Sequence, residues 1–162
     1  MWKTINEVRI PDIRGFVREA VATSDRDIHI GTDSLQAGRA TRFVTVLVLL
    51  QPGKGGRVAY KRTLAPRITS LRERLLREVY HSVALGLEIT DLLPAASDLT
   101  LHVDANPVLK HRSSRYVHEL VGMVVGQGFK AVVKPESWAA THTADRIART
   151  LGRHVGFSPE TV

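Results

Sequence analysis

The sequence predicts an α/β fold in which a mixed five-stranded sheet carries helices on both faces. Segments with alternating or β-branched apolar residues, typical of strands, are interspersed with segments whose apolar residues recur every three or four positions, as in helices. In chain order these segments read α-β-β-β-α-β-α-β-α. A three-strand meander followed by two crossovers through helices gives a sheet with both antiparallel and parallel strands.

The first half of the chain supplies a helix and the meander. Residues 11–23 form a predicted amphipathic helix that starts at Pro11 and is additional to the core of the sheet. Three strands with short connections follow, at residues 27–33, 43–50 and 57–64. Gly38 marks the first connection, and the glycine-rich loop 52–56 marks the second. Consecutive strands joined in this way form an antiparallel meander.

The second half of the chain alternates helices with single strands. The remaining predicted elements lie at about residues 71–88, 99–104, 114–127, 129–133 and 137–151. In the longest helix, Leu75, Val79 and Val83 follow one another at four-residue steps, which places them on one face. No internal repeat or linker interrupts the chain, so we expect a single domain over 1–162 with its core at about 27–151.

Composition narrows the class of protein. The 162 residues, 43% of them apolar and 24% charged, are typical of one globular domain. The absence of cysteine excludes disulfides, thiolate zinc sites and a cysteine nucleophile. The most apolar segment, residues 43–50, is too short to cross a bilayer, and the N-terminus lacks the apolar core of a secretion signal. We expect a soluble, cytoplasmic protein with no membrane partner.

Charge favours a polyanionic partner. Lys and Arg total 23 against 16 Asp and Glu, which gives a net charge of +7. Most of these cations are arginines, whose guanidinium groups match the geometry of phosphate. They are concentrated between residues 57 and 77 and again at 110–115, and a segregated basic surface indicates nucleic acid. A genomic preference for arginine codons is the competing explanation of the composition.

Two predicted strands each end in an aspartate. Asp33 closes the strand 27–33 and Asp104 closes the strand 99–104, and each has the opposite parity to the aliphatic residues of its strand. If these strands lie parallel and adjacent, both carboxylates point to one face at the same edge of the sheet. Hard oxygen ligands of this kind suit Mg²⁺ or Mn²⁺. The alternative is that both aspartates only begin turns.

Further candidate groups lie on two helices and at the end of the fifth strand. Glu73 fits a capping box with the serine three residues before it, which leaves Glu78 as the candidate ligand on the long helix. The last helix holds Asp145 beside alanines, with His142 three residues earlier on the same side. Lys134 is a candidate phosphate ligand. The plainer alternatives are that Glu78 is an ordinary acid on the flank of its helix and that Asp145 forms a surface ion pair. Lys134 would then only cap the edge of the sheet.

Four acids in this order and on these elements resemble the ribonuclease H-like superfamily. Its members take acids from the end of the first strand, the helix after the meander, the end of the fourth strand and the C-terminal helix. The corresponding residues here are Asp33, Glu78, Asp104 and Asp145. More narrowly, the chain is similar to the bacterial YkuK-like family in four segments, namely 30–34 (IGTDS), 67–73 (RITSLRE), 104–106 (DAN) and 134–137 (KPES).

The resemblance implies a metal-dependent nuclease that hydrolyses phosphodiester bonds of RNA, DNA or a hybrid of the two. Four carboxylates would hold two Mg²⁺ or Mn²⁺ ions, one activating water and one stabilising the leaving oxygen. Asp33 would bridge the ions, and His142 would assist proton transfer or product release. The residues implied to grip the nucleic-acid backbone are Arg67, Arg72, Lys110, Arg112 and Lys134.

Two other functions stay open at this point. One is a non-catalytic nucleic-acid-binding module, which needs the basic surface but not the complete set of acids. The other is a metal-dependent hydrolase of a small phosphorylated substrate, which needs a closed cavity rather than an open basic groove. The segment after Asp33 lacks the Asp-x-Glu pattern of proofreading exonucleases, and this disfavours that activity.

Overall fold

The computed structural model describes residues 1–23, 26–51, 53–94, 98–139 and 143. Within them, the strands are β1 (Trp2–Thr4), β2 (Arg9–Ile10), β3 (Asp27–Ala37), β4 (Ala40–Gln51), β5 (Gly55–Pro66), β6 (Leu99–His102) and β7 (Lys130–Val132). The α-helices in the same ranges are α1 (Ile13–Ala22), α2 (Leu71–Ile89) and α3 (Val117–Val125). Short 3-10 turns follow α2 at Thr90–Leu92 and precede α3 at Ser114–Tyr116.

The strands form one mixed sheet in the order β2-β1-β5-β4-β3-β6-β7. Strands β3, β4 and β5 pair antiparallel, whereas β6 runs parallel to β3 and β7 parallel to β6. The predicted meander with two parallel strands is therefore confirmed. The predicted number of five strands is wrong, because β1 and β2 form a hairpin that adds two strands beside β5. Strands of two and three residues are too short to show an alternating pattern.

A polar network attaches this hairpin to the sheet. Its turn contains Glu7 at φ 64°, a left-handed conformation that is uncommon for a residue with a side chain. The buried Tyr60 hydroxyl donates a hydrogen bond to Glu7, whose carboxylate also accepts one from Lys3 Nζ at 2.6 Å. Burial, together with this carboxylate, raises the pKa of Tyr60 to about 12, so the phenol stays protonated and continues to donate at neutral pH. These contacts compensate for the strained backbone.

The main hydrophobic core lies on one face of the sheet, and all three described α-helices contribute to it. At the centre of the sheet its fully buried residues include Ile28, Ile30, Leu47, Leu49 and Leu101. The opposite face carries a smaller cluster of Val44, Val46, Tyr60, Trp138 and Ala139. Most of the helix predicted over 137–151 lies outside the described residues. No helix in the described ranges is long and apolar enough to cross a membrane.

Two histidines lie on the second face, where His102 is buried and His29 is partly buried. His29 Nδ1 lies 3.0 Å from His102 Nε2, and both rings contact the indole of Trp138. Burial lowers the pKa of both imidazoles, and that of His102 falls to about 4. The pair is therefore neutral at physiological pH, one ring donating its N–H to the other.

A cluster of buried hydroxyl groups fixes α2 against the sheet. Thr32 Oγ1 on β3 donates to Thr45 Oγ1 on β4 at 3.0 Å and lies 2.9 Å from Ser82 Oγ on α2. All three side chains are buried, so each hydroxyl depends on the others for its hydrogen bonds. The cluster sets the height of α2 above β3, one turn away from Glu78 on the same helix.

The substitution Thr32→Val should lower the free energy of unfolding by about 1–3 kcal/mol, because it leaves buried hydroxyls without partners. Urea denaturation followed by circular dichroism measures the change. The matched test is a double-mutant cycle with Ser82→Ala, in which the double variant should lose less stability than the sum of the single variants. Additive losses would contradict the interaction between the two hydroxyls.

Candidate functional site

The parallel pairing of β3 with β6 brings two aspartates to one edge of the sheet. The register between these strands ends in the pair Gly31 and His102. Asp33 lies two residues beyond Gly31, and Asp104 lies two residues beyond His102. This equal spacing carries both aspartates to the carboxyl end of the strand pair, where sites form in open α/β sheets. The predicted adjacency of the two strands is confirmed.

A cavity of about 440 Å³ lies at this edge, and three carboxylates line it. Asp33 and Asp104 come from the ends of neighbouring strands, and Glu78 comes from α2. The other lining residues belong to β3, the first turns of α2 and the loop after β6, namely Ser34, Leu71, Arg74, Leu75, Lys110, His111, Arg112 and Ser113. The three candidate carboxylates within the described residues thus meet at one cavity.

Glu78 is the most buried of these acids, at 5% exposure. Ser34 Oγ donates a hydrogen bond to its Oε1 at 2.5 Å, and Arg74 Nη1 in turn donates to Ser34 Oγ at 3.3 Å. Burial raises the pKa of Glu78 well above its usual range, and the charges of Asp33 and Asp104 raise it further. The bond from Ser34 and the charge of Arg74 act in the opposite direction. A cation in the cavity would favour the ionised form of this carboxyl.

Glu73 has a different environment from Glu78, as its position in the capping box predicts. Its N–H donates to Ser70 Oγ at 3.3 Å, which caps α2. Its exposed carboxylate accepts a hydrogen bond from Arg77 Nη2 at 2.9 Å instead of lining the cavity. The choice of Glu78 as the helix-borne candidate therefore agrees with the geometry.

The loop after β6 brings basic side chains to the mouth of the cavity. Lys110 and Arg112, both predicted to grip a nucleic-acid backbone, line it. Arg74 and His111 line it as well, although sequence reasoning did not select them. Arg74 precedes Glu78 by four residues, so the two share one side of α2, and that spacing is the signal that could have identified it. Ser34 also lines the cavity and was not predicted, because its parity is opposite to that of the adjacent Asp33.

Two other predicted phosphate ligands have structural partners. Arg67 Nη1 donates to the carbonyl oxygen of Gly38 at 2.7 Å and so supports the turn between β3 and β4. Arg72 on α2 makes two hydrogen bonds to the carboxylate of Glu119 on α3. Neither arginine lines the cavity. Each stabilises the scaffold around the site in the arrangement described.

Lys134 lies against one of the site carboxylates. Its Nζ is 2.7 Å from Oδ1 of Asp104, and both side chains are partly shielded from water. The backbone explains this proximity, since the N–H of Lys134 also donates to the carbonyl oxygen of Ala105 at 3.1 Å. The ammonium group partly neutralises Asp104 and limits the repulsion among the three acids.

The remaining candidates, Asp145 and His142, lie outside the described residues. Within the described ranges, no three Asp, Glu, His or Cys side chains are close enough together to hold one metal ion. The oxygens of Asp33, Glu78 and Asp104 are nevertheless hard donors that line one cavity, and the charges of the two aspartates raise the pKa of Glu78 beyond the effect of its burial. Their chemistry fits Mg²⁺ or Mn²⁺.

Comparison with known proteins supports the fold. Residues 9–149 match a family model described as ribonuclease H-like. The chain belongs to the ribonuclease H-like family. It is also 31% identical over 135 residues to the uncharacterized protein YkuK of Bacillus subtilis, which covers 75% of this chain and 78% of that protein. The expected relationship to the YkuK-like proteins is therefore confirmed.

Two solved structures of the ribonuclease H class are more distant. RNase H1 from the archaeon Halobacterium salinarum is 19% identical, with a TM-score of 0.35, covering 76% of this chain and 98% of that one. The N-terminal RNase H domain of a Mycobacterium tuberculosis protein is 12% identical, also with a TM-score of 0.35, covering 80% of this chain and 99% of that one.

Glu78→Gln should increase the stability of the metal-free protein at pH 8. The pKa of Glu78 is raised in the folded state, so the wild type loses stability as the pH rises from the usual carboxyl range through that raised value. The variant lacks this titration, and its advantage should disappear as the pH falls to about 4.5. Urea unfolding in EDTA across this range measures the difference. The exposed Glu73→Gln is the control, and an equal pH dependence in both variants would contradict the assignment.

Proposed function

We propose that this protein is a metal-dependent nuclease that hydrolyses phosphodiester bonds of nucleic acid. The observation that carries the proposal is the convergence of Asp33, Glu78 and Asp104 on one cavity, with Lys110 and Arg112 beside them. Carboxylates of this kind suit Mg²⁺ or Mn²⁺, and the cations suit the phosphates of a nucleic-acid backbone. Membership of the ribonuclease H-like family supports this combination.

The residues that would hold the metal ions are Asp33, Glu78 and Asp104, with Asp145 as the fourth ligand implied by the resemblance. Two bound ions would lower the pKa of an attacking water and offset the negative charge that develops on the phosphate. The chain itself orients Glu78 through the hydrogen bond from Ser34. It keeps the second strand-end acid in position through the ion pair with Lys134.

The basic residues of the cavity have a separate role in this proposal. Lys110 and Arg112 hold the phosphates that flank the bond to be cleaved, and their charges lower the cost of bringing a polyanion to three carboxylates. His142, outside the described residues, assists proton transfer or product release, as the resemblance implies.

The ion pair between Lys134 and Asp104 favours a second candidate, a non-catalytic nucleic-acid-binding module. A lysine 2.7 Å from a site carboxylate supplies the positive charge that a metal ion would otherwise provide. In such a module the acids would be neutralised within the protein, and the basic loop would still bind phosphate. Cleavage and binding experiments separate this candidate from the nuclease.

Asp33→Asn and Asp104→Asn should each reduce Mg²⁺- or Mn²⁺-dependent cleavage about 100-fold or more, since metal-assisted charge stabilisation contributes several kcal/mol to such reactions. The assay uses labelled single-stranded RNA, single-stranded DNA, an RNA–DNA hybrid and a branched DNA. The matched control is Glu73→Gln on α2, which should stay within about twofold of the wild type because its side chain lies outside the cavity.

Two results would count against the nuclease, and one would count against the assignment of its glutamate. Cleavage that persists in Asp33→Asn would indicate a contaminating enzyme. A loss of activity in Glu73→Gln but not in Glu78→Gln would show that the wrong glutamate of α2 has been assigned. Salt-sensitive binding of nucleic acid without cleavage of any substrate would favour the binding module instead.

A further inference from the structure

The loop between β6 and α3 exposes two consecutive apolar side chains next to the candidate site. Leu109 is 92% exposed and Val108 is 53% exposed. We call these two residues the apolar tip. Exposure of a leucine to water is unfavourable, because apolar surface gains free energy when it is removed from water. A binding partner that covers the tip would recover this free energy.

Hydrogen bonds within the loop hold the tip in this exposed position. Asn106 Oδ1 accepts from the N–H of Val108 at 2.9 Å, and Ser113 Oγ accepts from the N–H of Asn106 at 3.0 Å. The N–H of His111 donates to the carbonyl oxygen of Val108 at 3.0 Å. These bonds close the loop on both sides of Leu109. The leucine therefore projects from a braced turn, and binding does not have to order a long flexible segment.

The neighbours of the tip identify the kind of partner. The three residues that follow Leu109 are Lys110, His111 and Arg112, and all three line the cavity with the carboxylates. An apolar side chain followed directly by cations matches nucleic acid, in which apolar base faces alternate with phosphates along a strand. A complementary protein surface would need an apolar pocket beside acids, and the cavity already brings its own acids to this position.

We propose that Leu109 acts as a wedge that inserts beside an unstacked base while Lys110 and Arg112 hold the adjacent phosphates. The inference deepens the proposed function, because it assigns the same site a preference among nucleic acids. Apolar wedges that enter a base step must separate the stacked bases, and this separation costs free energy. That cost is smallest where a base is already unpaired. The preferred ligand is accordingly a nucleic acid with an unpaired nucleotide next to a duplex.

Binding is measured in the full chain carrying Asp33→Asn, so that cleavage does not disturb the equilibrium. The probes are a DNA duplex and the matching RNA–DNA hybrid, each fully paired or with one unpaired 2-aminopurine. Fluorescence anisotropy gives the affinity, and the 2-aminopurine signal reports unstacking. We expect the unpaired probes to bind about tenfold more tightly than the paired ones, with a rise in 2-aminopurine fluorescence.

The variants separate the wedge from the charges beside it. Leu109→Ser should remove the tenfold preference and the fluorescence rise, whereas Leu109→Phe should keep both. Lys110→Ala should weaken binding to all probes equally. It should also reduce the slope of affinity against salt concentration by the contribution of about one phosphate contact. The control is Val125→Ser, since Val125 is 56% exposed at the end of α3 and does not line the cavity. It should bind like the parent protein.

Each outcome decides the wedge separately from the nuclease. If the wild type cleaves no substrate but the preference for unpaired probes depends on Leu109, the wedge is supported and the nuclease is rejected. Cleavage by the wild type with equal affinity for paired and unpaired probes overturns the wedge and leaves the nuclease. Failure to bind any probe overturns the wedge. The same conclusion holds if Leu109→Ser binds normally but converts a dimer to a monomer in light scattering, which would make the tip a protein contact.

Discussion

The candidate site depends on the parallel pairing of β3 with β6. This pairing aligns the ends of two strands that lie about 70 residues apart in the chain and so places Asp33 beside Asp104. Because β5 also runs parallel to β6, the chain must cross the sheet between them, and α2 makes this crossover. The same topology therefore carries Glu78 across the face of β3 to the edge where both aspartates lie.

Electrostatics at this edge oppose the stability of the fold. A buried carboxyl with two further acids near it costs free energy when it ionises, and the raised pKa of Glu78 expresses this cost. Ser34 and Arg74 offset part of this cost, and Lys134 neutralises part of the charge of Asp104. An arrangement that is unfavourable for folding and retained at a cavity is typical of a binding or catalytic site.

The basic residues divide between the scaffold and the cavity. Arg72 links α2 to α3 and Arg67 supports the turn after β3, so both stabilise the frame that holds the acids. Lys110 and Arg112 instead lie on the loop that follows the second strand-end aspartate. The sheet edge thus provides the acids, while this loop provides the positive charge and the apolar tip. In the proposed function, the acids of β3, α2 and the end of β6 would carry the chemistry, and the loop after β6 would carry recognition.

Local patterns in the sequence determined the order of the helices and strands from α1 to β7, the core faces, the parity of Asp33 and the distinction between Glu78 and the capping Glu73. These properties depend on residues a few positions apart, and periodicity reports them directly. Only the tertiary structure showed the N-terminal hairpin, the pairing of Lys134 with Asp104 and the braced loop that exposes Leu109. Each of these depends on which distant segments come into contact, or on a turn too irregular to leave a periodic pattern.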